Sequence, residues 1–154
     1  MHFVSSLLLI FFAAVIIRDD IKFFRIKNRI LTQFFVALVI LQILEKQLFQ
    51  QFLIGVIFLV LFTVFYLLGN MLSENAGIGF GDVKLVAVVA FGYMNLNVES
   101  VERFLISLWW ALLFQFILHS LYKRKFLSHM AMAPSIFLAV GLYLCAPMAI
   151  HLPQ

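Results

Sequence analysis

Gly77-Ile78-Gly79-Phe80-Gly81-Asp82-Val83-Lys84-Leu85 sets a carboxylate between three alternating glycines and an apolar run. Glycine fills a helix interior poorly, and it allows positive φ or a close approach of the backbone to another group. The stretch therefore predicts a tight loop at residues 77–81, followed by a helix that opens near Asp82. An ionisable group in a chain this apolar usually has a function, so Asp82 is the first candidate functional residue.

The composition around this stretch is that of an integral membrane protein. The 154 residues are 65% hydrophobic and 12% charged, and their mean hydropathy is +1.10, far from the soluble average. The formal charge of +4 comes from basic residues in short loops rather than from an extended stripe, so no nucleic-acid partner is expected. Cys145 is the single cysteine, which excludes internal disulfides and cysteine-based zinc clusters. Neither a metal site nor a cofactor is predicted.

Apolar segments predict six transmembrane helices in one all-α domain, residues 1–154. A spanning helix needs about 20 mostly apolar residues. Segments of this kind or somewhat shorter lie at residues 3–17, 30–44, 52–72, 83–96, 104–122 and 130–150. At about 1.5 Å per residue, the first and the fourth reach only about 21–22 Å, so we expect the aspartates beside them to lie at headgroup depth. Pro134 either starts the sixth helix or kinks it.

The basic residues orient these helices. Loops one, three and five hold nine of the eleven Lys and Arg residues, with Lys84 counted in loop three. Loops two and four hold only Lys46 and Arg103. By the positive-inside rule, the odd loops are cytoplasmic and both termini are non-cytoplasmic. This topology places Asp20 and Asp82 on the same side of the membrane.

Two aspartates at one membrane face can perform aspartyl-protease chemistry. Like charges held close together do not both ionise easily, so one carboxylate can activate a water while the other, protonated, polarises a peptide carbonyl. Asp82 opens a helix, where the dipole favours the anion, whereas Asp20 follows the end of one. We therefore expect Asp20 to hold the proton.

Structural roles stay open for both residues. Asp82 could cap a helix start, and Asp20 could balance charge in a basic loop, which is the role expected of Asp19. A small proton-coupled transporter is the rival membrane function. It would usually need carboxylates inside its spans, whereas every Asp and Glu of this sequence lies at a predicted helix end or in a loop.

Three parts of the chain resemble one family. Gly79-Phe80-Gly81-Asp82 resembles the GxGD signature of the bacterial prepilin peptidases, the membrane aspartyl proteases of type IV pilin and type II secretion systems. The loop from Asp20 to Asn28 resembles the family pattern of Asp, basic and aromatic residues, then Ile-Pro-Asn, with Lys27 in place of the proline. This spacing selects the second of the two adjacent aspartates. Met132-Ala133-Pro134 resembles the family's apolar Ala-Pro segment.

The resemblance implies a catalytic pair, a loop and supporting residues at the cytoplasmic face. The pair is Asp20 and Asp82, and the active-site loop is Gly79, Phe80 and Gly81. The candidate supporting residues are Lys84, Asn28 and Pro134. For Lys84 we expect interfacial anchoring, because two positions along a helix from Asp82 it points elsewhere.

The resemblance also implies a substrate and a location. The substrate is a type IV prepilin with a short cytoplasmic (class III) leader that is cut before an apolar helix. Further partners are the lipid bilayer and the pilus-assembly machinery, and the location is the bacterial inner membrane, multi-pass. Larger members resemble bifunctional enzymes with an N-terminal methyltransferase region and a cysteine tetrad. This chain begins at its first helix and has one cysteine, so we expect cleavage without N-methylation, as in the minimal Flp or tight-adherence form. A catalytically inactive pilus-assembly factor is the second alternative.

Overall fold

The computed structural model describes residues 2–72, 79–123 and 131–145, which form six α-helices and no strand. The helices are α1 His2–Phe23, α2 Asn28–Leu44, α3 Leu48–Leu72, α4 Phe80–Tyr93, α5 Val98–Lys123 and α6 Ala133–Cys145. Each predicted apolar segment corresponds to one of them, so the all-α prediction is confirmed. Residues 73–78, which include Gly77, lie outside the described residues.

The first helix is longer than predicted. It continues through Asp19 and Asp20 to Phe23, where the sequence predicts a loop from residue 18 onward. The carbonyl of Asp20 accepts a hydrogen bond from the Phe24 N–H at 2.8 Å, and Phe24 has a φ of 49°. A left-handed residue directly after the last turn is a common way to end a helix. Asp20 therefore lies in the last turn of α1 rather than in a loop.

Among the described helices, two are long and apolar enough to cross a membrane, by length and composition. They are Leu48–Met71 within α3 and Val98–Leu118 within α5. Asn28–Leu44 and Ala133–Cys145 are apolar but shorter. The six membrane spans and the placement of both termini stay predictions.

The short helix α4 forms the centre of the bundle. It packs most extensively against α3 and also contacts α2 and α6. A helix that is apolar on every side is normally buried, and α4 buries Val83, Leu85, Val86, Val89, Ala90 and Phe91. Gly55 of α3 allows this close packing, because a Cβ there would lie 3.0 Å from the Cβ of Phe91. Small residues permit such approach between apolar helices.

Polar contacts tie the helices together at the end of α4 that lies away from Asp82. The Tyr93 hydroxyl donates to the Ser5 carbonyl at 2.8 Å, which joins α4 to α1. The Gln42 amide donates to the Gly92 carbonyl at 3.1 Å, which joins α2 to α4. These two bonds therefore join α1, α2 and α4 at the end of the bundle opposite Asp20 and Asp82.

The packing of Gly55 predicts a difference between two glycine variants. Gly55→Ala should lower the free energy of unfolding by about 1 kcal/mol, because the added methyl group crowds the Cβ of Phe91 and the backbone must shift. Gly141→Ala is the matched control, since no atom lies within 4 Å of its added Cβ. Thermal unfolding in detergent followed by circular dichroism measures both. Equal stabilities of the two variants would contradict the close α3–α4 packing.

Candidate active site

Asp20 is buried at the junction of α1 and α6. Its side chain is 4% exposed, and its Oδ2 atom accepts a hydrogen bond from the Ala133 backbone N–H at 2.9 Å. Ala133 is the first residue of α6, where the backbone N–H groups lack partners within the helix and carry partial positive charge. A carboxylate from one helix thus caps the start of another.

Asp82 is the third residue of α4 and folds back onto the residue that precedes the helix. Gly79 is the N-cap of α4, and its backbone hydrogen bonds to the Asp82 carboxylate. This is the half of a capping box in which the third helical side chain reaches back to the N-cap N–H. Asp82 is therefore not the N-cap residue that the sequence left open, but its carboxylate still caps the start of α4 from the third helical position.

Gly79 shows one of the two properties predicted for these glycines. Its φ is −67°, so the predicted use of positive φ is wrong at this position. A Cβ on Gly79 would instead lie 2.8 Å from the Oδ2 atom of Asp82. Close approach, the other predicted property of these glycines, is the one that the site uses.

The rest of the predicted loop contacts its surroundings on both sides. Phe80 and Gly81 belong to the first turn of α4 rather than to the predicted loop. A Cβ on Gly81 would lie 3.4 Å from the Cβ of Ile26, so this turn packs on the segment that follows α1. The ring of Phe80 lies 5.5 Å from that of Tyr66 on α3, centroid to centroid. The GxGD stretch thus lies between α3 and the first connection.

Two of the predicted supporting residues contact each other. The ammonium group of Lys84 donates to Asn28 Oδ1 at 3.5 Å and lies 4.9 Å from the centre of the Phe80 ring. Lys84 therefore links α4 to the start of α2, on a different side of α4 from Asp82. Pro134 is the second residue of α6. Of the two predicted alternatives it starts the helix, where a missing N–H costs little.

Asp19 and Lys27 form an ion pair of 2.9 Å. This confirms the charge-balancing role expected of Asp19 and leaves Asp20 as the aspartate that faces the bundle. The backbone of Lys27 has a φ of −72°, which is close to the value that a proline ring imposes. The lysine thus keeps the backbone geometry of the residue that it replaces.

Both aspartates lie outside the predicted spans, and both have raised pKa values. Burial is the main cause of the raised pKa of Asp82, and the charge of Asp20 raises it further. The hydrogen bond from the Gly79 backbone lowers it. The net effect is a pKa of about 7. Burial raises the pKa of Asp20 less, and the Ala133 N–H opposes the rise. The two carboxylates are therefore close enough to titrate as a pair.

The predicted assignment of the proton to Asp20 rested on a helix dipole acting on Asp82 alone. Asp20 also lies at a helix start, that of α6, so the dipoles do not distinguish the two carboxylates. Burial and the charge of Asp20 raise the pKa of Asp82 to about 7, which favours the opposite assignment, with Asp20 ionised and Asp82 protonated.

Neither Gln115 nor the donor to Asp20 is among the site residues predicted from the sequence. Gln115 Nε2 donates to the Ala131 carbonyl at 2.6 Å, and its Oε1 accepts from the Ser135 hydroxyl. The Ala133 N–H is a backbone group, so no residue type marks it. In the described ranges, no group of three His, Cys, Asp or Glu side chains could hold a metal ion.

Comparison with known proteins identifies a family. The family model described as the type IV leader peptidase family matches residues 7–118, which is 112 of the 154 residues. The matched range contains Asp20, the GxGD stretch and Gln115. No curated protein and no solved structure matches the chain.

The coupling of the two carboxylates predicts how their titration responds to mutation. Asp20→Asn should lower the pKa of Asp82 from about 7, because it removes the neighbouring charge, but burial should keep that pKa above the ordinary value. Infrared spectroscopy of labelled aspartates in detergent measures the change. Asp19→Asn is the matched control and should leave Asp82 unaffected, since Asp19 is paired with Lys27. A higher pKa at Asp20 than at Asp82 in the wild type would contradict the assignment.

Proposed function

The chain belongs to the type IV leader peptidase family, and we propose that it removes the cytoplasmic leader of a type IV, Flp-like prepilin by two-aspartate hydrolysis. The observation that carries the proposal is the meeting of Asp20 and Asp82 at one end of the bundle, where the charge of the first raises the pKa of the second. Two coupled carboxylates of unequal pKa are what acid–base hydrolysis of a peptide bond requires.

The proposed roles follow from the proton assignment. Ionised Asp20 takes a proton from a water molecule as the water oxygen attacks the scissile carbonyl carbon. Protonated Asp82 gives its proton to the carbonyl oxygen, so the tetrahedral intermediate is neutral. Asp20 then passes its proton to the leaving nitrogen as the C–N bond breaks, and Asp82 recovers a proton from the hydroxyl group. Each turnover consumes one water and restores both carboxylates to their starting states.

The surface beside Asp20 supports a location at the membrane–cytosol boundary. The large apolar side chains of Ile21, Phe23 and Phe24 are each more than half exposed, and the ammonium group of Lys22 lies 5.2 Å from the centre of the Phe23 ring. Alternating aromatic and basic side chains suit the headgroup region, where apolar parts dip inward and charges reach water.

This location fits the proposed substrate and the proposed setting. A leader that is cut before an apolar stem brings its scissile bond to the boundary while the stem stays in lipid. We place the chain, as a single peptidase domain, in the bacterial inner membrane with its active site at the cytoplasmic face. Its partners are the prepilin, the lipid bilayer and the pilus-assembly machinery. The activity that we propose is leader cleavage without N-methylation.

Substitution of either carboxylate should abolish leader removal. Asp20→Asn and Asp82→Asn keep side-chain size but remove the acid–base function, so we expect rates at least about 100-fold lower. Asp19→Asn is the matched control and should process normally, since Asp19 binds Lys27. Co-expression with a candidate prepilin, followed by mass analysis of its N-terminus, measures cleavage. Normal processing by either site variant would exclude the mechanism, and no processing by the wild type would point to an inactive assembly factor.

The glycine loop predicts unequal effects of two alanine variants. In Gly79→Ala, the new methyl group would lie 2.8 Å from Asp82 Oδ2, so the carboxylate must move and kcat/KM should fall by about 10- to 100-fold. In Gly81→Ala, the nearest atom is the Cβ of Ile26 at 3.4 Å, and a smaller loss is expected. Cleavage of a synthetic leader peptide in detergent compares them. An equal loss in both would show that the loop needs glycine for another reason.

A further inference from the structure

Gln115 of α5 holds the chain on both sides of the residue that binds Asp20. Its amide Nε2 donates to the Ala131 carbonyl at 2.6 Å, two residues before Ala133. Its amide Oε1 accepts from the hydroxyl of Ser135, two residues after Ala133. Between these two contacts, the Ala133 N–H donates to Asp20 Oδ2 at 2.9 Å. One side chain thus fixes both ends of a five-residue segment whose middle residue binds the carboxylate.

We propose that Gln115 is a positioning residue for the active site, which holds the first turn of α6 so that the Ala133 N–H stays directed at Asp20. The inference rests on the proposed function in so far as Asp20 is the base that activates water. Gln115 itself lies behind α6 from Asp20 and acts through the backbone of that helix.

The chemistry of the residues suits this role. Ser135 is 1% exposed, and a buried hydroxyl needs a hydrogen-bond partner, which Gln115 supplies. Glutamine alone among side chains of this length offers a neutral donor and acceptor together, so it can hold a carbonyl and a hydroxyl at once. Pro134 has no N–H and cannot compete with Ala133 as a donor to the carboxylate.

The hydrogen bond from the Ala133 N–H contributes much of the stabilisation of the Asp20 anion, because the charged groups around Asp20 contribute little. From α4, Asp82 is close enough for the charge of Asp20 to raise its pKa, and it offers Asp20 no positive charge. On α1, Asp19 is occupied by Lys27, and from α2 the nearest basic residue in sequence, Arg29, is exposed. Over Ala133–Cys145, α6 has no Asp, Glu, Lys, Arg or His, so the favourable contact from that helix is the backbone N–H.

Removal of the Gln115 amide should change the pH profile of cleavage. In Gln115→Leu the first turn of α6 loses both anchors, the Ala133 bond to Asp20 weakens, and the pKa of Asp20 rises. Because Asp20 must be ionised to act as the base, the acid limb of kcat should move to higher pH, on the order of one unit. Below neutral pH kcat should fall while KM changes little. Ser135→Ala removes one anchor and should shift the limb less, in the same direction.

A matched control separates this role from general loss of packing. Gln42 is also a buried glutamine, 4% exposed, and its amide also donates to a backbone carbonyl, that of Gly92 at 3.1 Å. It lies at the opposite end of the bundle. Gln42→Leu should therefore leave the acid limb in place, whatever it does to stability.

A second measurement tests the inference without cleavage. Infrared titration of labelled aspartate in an Asp82→Asn background follows Asp20 in the full chain, and adding Gln115→Leu or Ser135→Ala should raise its pKa. If the wild type cleaves no prepilin, the proposed function fails while this titration still decides the positioning role. If neither variant moves the titration, or if Gln42→Leu moves it equally, the inference is overturned. If Gln115→Leu does not fold, the result for Ser135→Ala decides alone.

Discussion

The hydrogen bond from the Ala133 N–H to Asp20 Oδ2 is the contact on which the site depends. It joins residues 113 positions apart and connects the first helix to the last helix described. It satisfies a carboxylate that is almost fully buried, and it satisfies a backbone donor that α6 cannot use internally. A buried charge without such a partner would be costly. The same contact therefore serves the stability of the bundle and the ionisation of the group that we propose as the base.

Helix dipoles do not account for the different roles that we propose for the two carboxylates. Asp82 lies in the first turn of α4, and Asp20 lies at the first turn of α6, so each benefits from a helix N-terminus. What differs is the rest of the environment. Desolvation of Asp82 and the charge of Asp20 raise the pKa of Asp82 to about 7. Such a pair would offer the acid and the base that the proposed hydrolysis needs near neutral pH.

Much of the architecture and the identity of the two aspartates could be predicted from the sequence. Apolar segments and their polar interruptions indicated six helices in the right order, and the spacing to Asn28 selected Asp20 over Asp19. The C-terminal boundary of α1 could not be predicted, because Phe24 ends the helix in a conformation that its side chain does not favour. The surroundings that bear on the proton assignment could not be predicted for a related reason, since the donor to Asp20 is a backbone N–H supplied by tertiary packing. It also lies beyond the range that the family model matches.

Because Asp20 of α1 caps α6, the order of synthesis bears on when the proposed active site can be complete. Asp20 and Asp82 are synthesised before Ala133. The nascent chain therefore carries both carboxylates before the backbone donor to Asp20 has been made. Under the proposed function, the site is therefore complete only once the last described helix has docked against α1.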